Sequence, residues 1–241
     1  LKQPKAKVVS FGAWKKYGAI AASILVLASL YFVFSNSNIT VSTPYAETAA
    51  FILPDASEVL MNSGSKVVYS KKEWNKKREL TLSGEAFFKV SKGKIFDVIT
   101  NQGIVTVVGT QFNVNEREGY FEVQCYEGKV KVSLNNQMFM LRPGKTIKLV
   151  AGELSEVMDF NTEVPDWMNK QSNFENVPFD VVVKELERQF NVKVVYDKSL
   201  SNKQFTGGFS HESLKEAIMS IAFPMNLKFD IKDKNLIELY E

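Results

Sequence analysis

A spacing of 35 residues recurs near the C-terminal end of this chain, and it restricts the possible folds there more than any other pattern. Phe179, Val182, Val183, Leu186 and Phe190 follow i, i+3, i+4, i+7 and i+11, the stripe of an amphipathic helix. Leu214, Ala217, Ile218, Ile221 and Met225 repeat that spacing 35 residues later. The offset holds outside the helices. Phe174 maps onto Phe209, and Asn191-Val192-Lys193-Val194 onto Asn226-Leu227-Lys228-Phe229. Each unit reads strand, helix, strand, so residues 173–241 are expected to form a small α+β domain of duplicated βαβ units.

Upstream the period changes. From Phe51 to about Phe160 short β-type runs (EVLMN, KVVYS, ELTLSGEAFFKV, FDVIT, GIVTVVG, YFEVQCY, KVKVSL, TIKLV) alternate with turn residues, and glycines recur roughly every ten positions. No helical period interrupts them. Residues 49–160 are therefore expected to be an all-β domain, with a sandwich, a jelly roll and a short β-solenoid all compatible with the pattern. The fold class is mainly β. Residues 35–48 and 161–172 read as linkers.

Residues 17–34 (YGAIAASILVLASLYFVF) carry no charge, Asn, Gln or Pro. At 1.5 Å per residue they span about 27 Å, near the thickness of a bilayer core. Trp14 and Tyr17 flank one end and Tyr31, Phe32 and Phe34 the other. A cleaved signal peptide and a buried core helix are competing readings, but no small-residue cleavage site follows promptly and no polar face marks the run. A single transmembrane helix is expected. Lys15 and Lys16 precede it, and no basic residue follows until Lys66, which places the N-terminus in the cytoplasm and the bulk of the chain outside. Residues 1–16 would be a cytoplasmic tail, expected to be truncated because the chain opens on Leu rather than Met.

Charge reinforces this division. Five of the 30 basic residues lie in residues 1–16, leaving 25 against 27 acidic side chains in residues 35–241. A nucleic-acid-binding body is not expected. The chain has one His and one Cys, which exclude an internal disulfide and a His/Cys zinc site and nearly close the hydrolase classes. No cofactor is expected.

The runs LPDASEVLMNSGSKVVY (53–69), RELTLSGEAFFKV (78–90), FDVITNQGIVTVVGTQFNV (96–114), YEGKVKV (126–132) and LRPG (141–144) resemble, in order, those of FecR-family regulators. The C-terminal part, with Trp167, Phe174, Pro178, LERQF (186–190) and FTGGF (205–209), is similar to the domain that follows the FecR domain. It is also similar to the short N-terminal domain of secretins and TonB-dependent receptors. The resemblance implies an anti-sigma factor in the bacterial inner membrane. Such a protein crosses the membrane once and relays a signal from the signalling domain of an outer-membrane TonB-dependent transducer to an extracytoplasmic-function sigma factor. The sigma-binding segment of such regulators is longer than the sixteen residues that precede the span here. A membrane-anchored periplasmic binding module for glycan or peptide, without a sigma link, is the alternative.

Candidate sites are few. Gly109-Thr110 matches a bond at which some FecR-type regulators cleave themselves through the Thr hydroxyl; a Gly bulge followed by a strand Thr is the plainer reading. His211 is expected in the exposed first turn of a helix capped by Ser210, and Cys125 as a buried thiol. The run KKEWNKKR (71–78) is expected to be a solvated loop rather than an anion site. In ELTLSGEAFFKV, Leu80, Leu82 and Phe87 are expected inside, while Glu85 has no partner carboxylate at useful spacing. Leu236, Ile237, Glu238, Leu239 and Tyr240 read as a closing strand whose open edge could accept a partner strand.

Overall fold

The computed structural model describes residues 17–18, 20–27, 29, 38–233 and 235–241. Residues 17–18, 20–27 and 29 are helical, and among the described residues no helix is long and apolar enough to cross a membrane. The expected tail and part of the expected span lie outside the described residues. Residues 39–241 form one compact unit.

The first part of that unit carries strands β1 (Asn38–Ser42), β2 (Ala49–Ile52), β3 (Glu58–Met61), β4 (Lys66–Ser70), β5 (Arg78–Lys89), β6 (Phe96–Ile99), β7 (Gly103–Val107), β8 (Gln111–Arg117), β9 (Tyr120–Glu127), β10 (Val130–Leu134), β11 (Gln137–Leu141), β12 (Lys145–Val150), β13 (Glu153–Leu154) and β14 (Met158–Asp159). Their organiser is the twelve-residue β5. Its first half pairs β4 on one edge and runs parallel to β6 on the other. Its second half pairs β3 and β8. The changeover falls at Gly84, where φ is +112° and a Cβ would come within 2.7 Å of the Ser65 backbone. Only glycine fits a bend of that sign against so close a neighbour. Two sheets thus share one strand, β1-β4-β5-β6-β7-β10-β11 and β2-β3-β5-β8-β9-β12-β13, and both bury their inner faces in one core. Two mostly antiparallel sheets on one core fit the sandwich and jelly-roll readings of the pattern and not a solenoid.

Alternation along β5 sends Leu80, Leu82, Ala86 and Phe88 into that core. Phe87 is buried as expected but on the opposite face, edge-on to Tyr126 at 5.5 Å. The lysine-rich run is a loop, yet it is not wholly solvated. Trp74 folds under it against Tyr69 and Phe96, and Arg78 is buried within 2.5 Å of Asp55. The stretch expected to link the membrane segment to the sandwich already contains β1, which pairs β4, and a buried Thr43 whose hydroxyl donates to the Asn62 carbonyl at 2.7 Å. The second expected linker holds a 3-10 turn, Asp166–Asn169, and ends in a strand.

The C-terminal part begins at that strand, β15 (Gln171–Pro178), followed by α1 (Phe179–Phe190), β16 (Lys193–Val195), β17 (Gln204–Ser210), α2 (Leu214–Ala222), β18 (Lys228–Asp233) and β19 (Leu236–Tyr240). The duplication is real in space. β15 and β17, equivalent by the 35-residue offset, pair with each other, and the equivalent Phe174 and Phe209 rings lie 6.1 Å apart. Asn191 and Asn226, also equivalent, both end their helical segments in the left-handed conformation, with φ near +52° and +57°. Asn tolerates it better than most residues. Val182, Val183 and Leu186 of α1 meet Ala217, Ile218 and Ile221 of α2 in a second core.

Two expectations are corrected. β19 is not an edge: it lies between β16, to which it is parallel, and β18, to which it is antiparallel, with Ile237 and Leu239 buried. Its backbone groups are taken on both sides, so strand addition at Leu236–Tyr240 is closed. The second helix is capped by Ser213 rather than Ser210, because Ser210 still belongs to β17, opposite Gln171.

Candidate functional site

The arrangement with most chemistry is the seam between the two parts. It is built from α1 upward. The apolar stripe of that helix faces its own core, while Glu185, Arg188 and Gln189, at i, i+3 and i+4, project from another face onto the sandwich. Glu185 and Arg188 are buried there. Arg188 donates from Nε to Glu185 Oε2 at 2.9 Å, and Gln189 Nε2 donates both to Glu185 Oε1 at 2.7 Å and to Asn62 Oδ1 at 3.0 Å.

The sandwich answers with the outer face of its second sheet and the tight loop 62–65. Glu85 accepts from Asn62 Nδ2 and Asn113 Nδ2, both at 2.8 Å. Arg117 donates to the Gly64 and Ser63 carbonyls at 2.6 and 2.7 Å. The Ala46 N–H donates to the Arg188 carbonyl at 2.8 Å, tying α1 to the start of the sandwich. At the far side Trp167 Nε1 reaches Asn113 Oδ1 at 3.2 Å, and Lys184 bonds Glu118 at 2.9 Å.

Electrostatics divide the two buried carboxyls. Burial, then the nearby charge of Glu185, pushes Glu85 up to about 7, against the pull of Asn113, Arg117 and Asn62. Burial alone would raise Glu185 too, but Arg188, Arg117 and Gln189 overcome it and hold Glu185 below the usual carboxylate range. A small cavity of about 70 Å³ lies beside this cluster, under Trp167 and Tyr120, and Asn115 Oδ1 and Arg117 Nε have no protein partner. The geometry offers mutual charge satisfaction across a joint.

The residues singled out from the sequence are scattered. Glu85 lies at the heart of the seam, and the carboxylate that it lacks locally is Glu185, one hundred positions away. Gly109 and Thr110 sit in the β7–β8 connection rather than at a bulge within a strand. Thr110 is buried, its hydroxyl donating to the Lys129 carbonyl at 3.2 Å, and neither residue has a positive φ. Cys125 is fully buried, and burial pushes its thiol up to about 11. His211 lies between β17 and α2, half-buried, with Nε2 2.8 Å from Ser172 Oγ. Burial lowers its pKa. Among the described residues no group of His, Cys, Asp and Glu is arranged to hold a metal ion. Arg117 and Glu185 went unmarked in the sequence, and Arg188 and Gln189 entered only as part of the LERQF run, with no role of their own.

Comparison with known proteins covers both parts. The family model described as FecR protein matches residues 39–131, and that described as FecR, C-terminal, matches residues 171–238. No curated relative matches the chain. Two crystal structures, each of a candidate anti-sigma factor from Parabacteroides distasonis, are similar to it. The one at 2.50 Å resolution is 27% identical, with a TM-score of 0.76 over 85% of this chain and 99% of that one. The one at 1.65 Å is 26% identical, with a TM-score of 0.75 over 84% and 99%. With its sandwich and its duplicated C-terminal part matched in the family's own order, the chain belongs to the FecR family.

Proposed function

We propose that this chain is a sigma-factor regulator. The observation that carries the reading is the likeness of the folded body, across both parts, to two candidate anti-sigma factors at 26 and 27% identity. The finer picture follows from the sequence. The apolar run at 17–34 anchors the chain in the inner membrane with its N-terminus in the cytoplasm, and the folded body receives a signal in the periplasm from the signalling domain of an outer-membrane TonB-dependent transducer. The polar seam suits a relay, because groups that satisfy each other across a joint hold one arrangement and resist intermediate ones.

Two experiments test this. The immobilised full-length protein should retain one extracytoplasmic-function sigma factor from its own host's lysate, and its deletion should change transcription of that factor's targets. Retention of no sigma factor, together with unchanged transcription, would refute the regulator. Protease added to spheroplasts should digest the C-terminal part and spare a tagged N-terminus; the reverse pattern would refute the topology.

A further inference from the structure

Beside the seam, the hairpin turn β12–β13, the strand β14 and the strand β15 enclose an open cleft of about 440 Å³. Its floor is apolar: Val150, Leu154, Met158 and the buried Pro178. Its rims are carboxylates, Glu153 from β13 and Glu175 from β15, both exposed. Among the described residues neither has an ion-pair partner. The cleft runs on into a second recess of about 240 Å³, which shares Lys148, Met158 and Glu175 with it.

Charge in the two recesses is one-sided. Glu122, Glu153, Asp159, Asp166 and Glu175 line them, against one ammonium, Lys148. That ammonium is already 3.4 Å from Glu122, and Asp159 is held by Lys145 at 2.6 Å. Among the described residues the Asp166 carboxylate has no ion-pair partner and accepts a neutral amide hydrogen bond from Asn173 at 3.0 Å. The field inside is therefore negative, and cations are drawn to it. An apolar floor between uncompensated acids fits a side chain with an aliphatic stem and a cationic head, as lysine and arginine have. A volume in the range of ligand clefts, elongated over two recesses, suits a run of several residues better than one compact molecule.

We infer that this cleft is a docking site for an extended, lysine- or arginine-bearing segment of a partner protein. Apolar side chains of the segment lie on Leu154 and Met158, and its cations reach Glu153 and Glu175. The site stands on its own geometry and does not depend on the sigma-factor reading.

The test uses the full chain and two capped pentapeptides, Val-Lys-Val-Arg-Val and Val-Glu-Val-Glu-Val. The basic peptide should bind, shift the amide resonances of Leu154, Met158 and Asn176, and release as salt rises from roughly 50 to 500 mM. The Glu153→Gln/Glu175→Gln double variant should bind it about tenfold more weakly, and Glu47→Gln, outside the cleft, should bind it unchanged. Both substituted acids are exposed, so the variant should keep its fold, checked by circular dichroism. Met158→Arg supplies a cation from within and should weaken binding at least as much. Equal binding of the acidic peptide, undiminished binding by the double variant, resonance shifts confined elsewhere, or no binding at millimolar peptide would each overturn the inference.

Discussion

Replacing Glu85 by Gln should change how the stability of the folded body depends on pH. In the folded state this carboxyl is raised to about 7 by burial and by Glu185, whereas its ordinary value is 4.5. The folded form thus binds the proton more tightly than the unfolded chain. Its favourable contribution is complete below pH 4.5 and is lost as pH rises through 7. At 1.36 kcal/mol per pH unit, the full difference is about 3 kcal/mol, of which about 2 kcal/mol falls between pH 5.5 and 8.5. His211 acts oppositely in part of this range, because burial lowers its pKa and favours the folded state as it deprotonates. Its partners do not include Glu85, so it cancels when the variant is subtracted from the parent. The Glu85→Gln substitution also takes one acceptor away from Asn62 or Asn113, a cost that does not vary with pH. The slope is therefore diagnostic and the offset is not. Urea unfolding followed by the fluorescence of Trp74 and Trp167 at several pH values gives both curves. The difference, variant minus parent, should rise by about 2 kcal/mol from pH 5.5 to 8.5 in the variant's favour. Parallel curves would refute the burial argument for Glu85.

Other perturbations follow from the packing. Leu186→Ala and Ile221→Ala, equivalent positions that are both fully buried, should each cost roughly 2–4 kcal/mol in urea unfolding, while Lys215→Ala on the surface should cost little. Trp74→Ala should cost about 3–5 kcal/mol, but Trp74→Phe clearly less, since the buried Nε1 has no partner to lose. If the Gly109-Thr110 bond cleaves itself, purified protein should give two copurifying fragments, the second beginning at Thr110, with Thr110→Ser active and Thr110→Ala inert; a single intact mass after long incubation would refute cleavage.

What the sequence revealed and what it hid divide along a physical line. Local periodicity was legible. The spacing of Phe179 to Phe190 and its echo at Leu214 to Met225 reported two helices, each burying one stripe, and both stripes do meet. Partnership between distant segments was not legible. Glu185, Arg188 and Gln189 look like the solvated side of α1, because a helix records in sequence only which residues share a face, not what covers it. Trp74 was hidden by five basic neighbours, since composition reports the average of a loop and not the one side chain that turns inward. Phe87 was placed in the wrong layer for a related reason. When both faces of a strand are covered, alternation no longer tells the core from the seam. The case of β19 is the most consequential. Its alternation identified a strand correctly, and its place at the end of the chain suggested an unpaired flank, yet strand order is set by which pairing buries Ile237 and Leu239 between the two βαβ units. With β16 and β18 already on its two sides, a partner has to approach the C-terminal part elsewhere. The cleft beside β15 offers what β19 does not: an accessible apolar surface with acids left uncompensated at its rims.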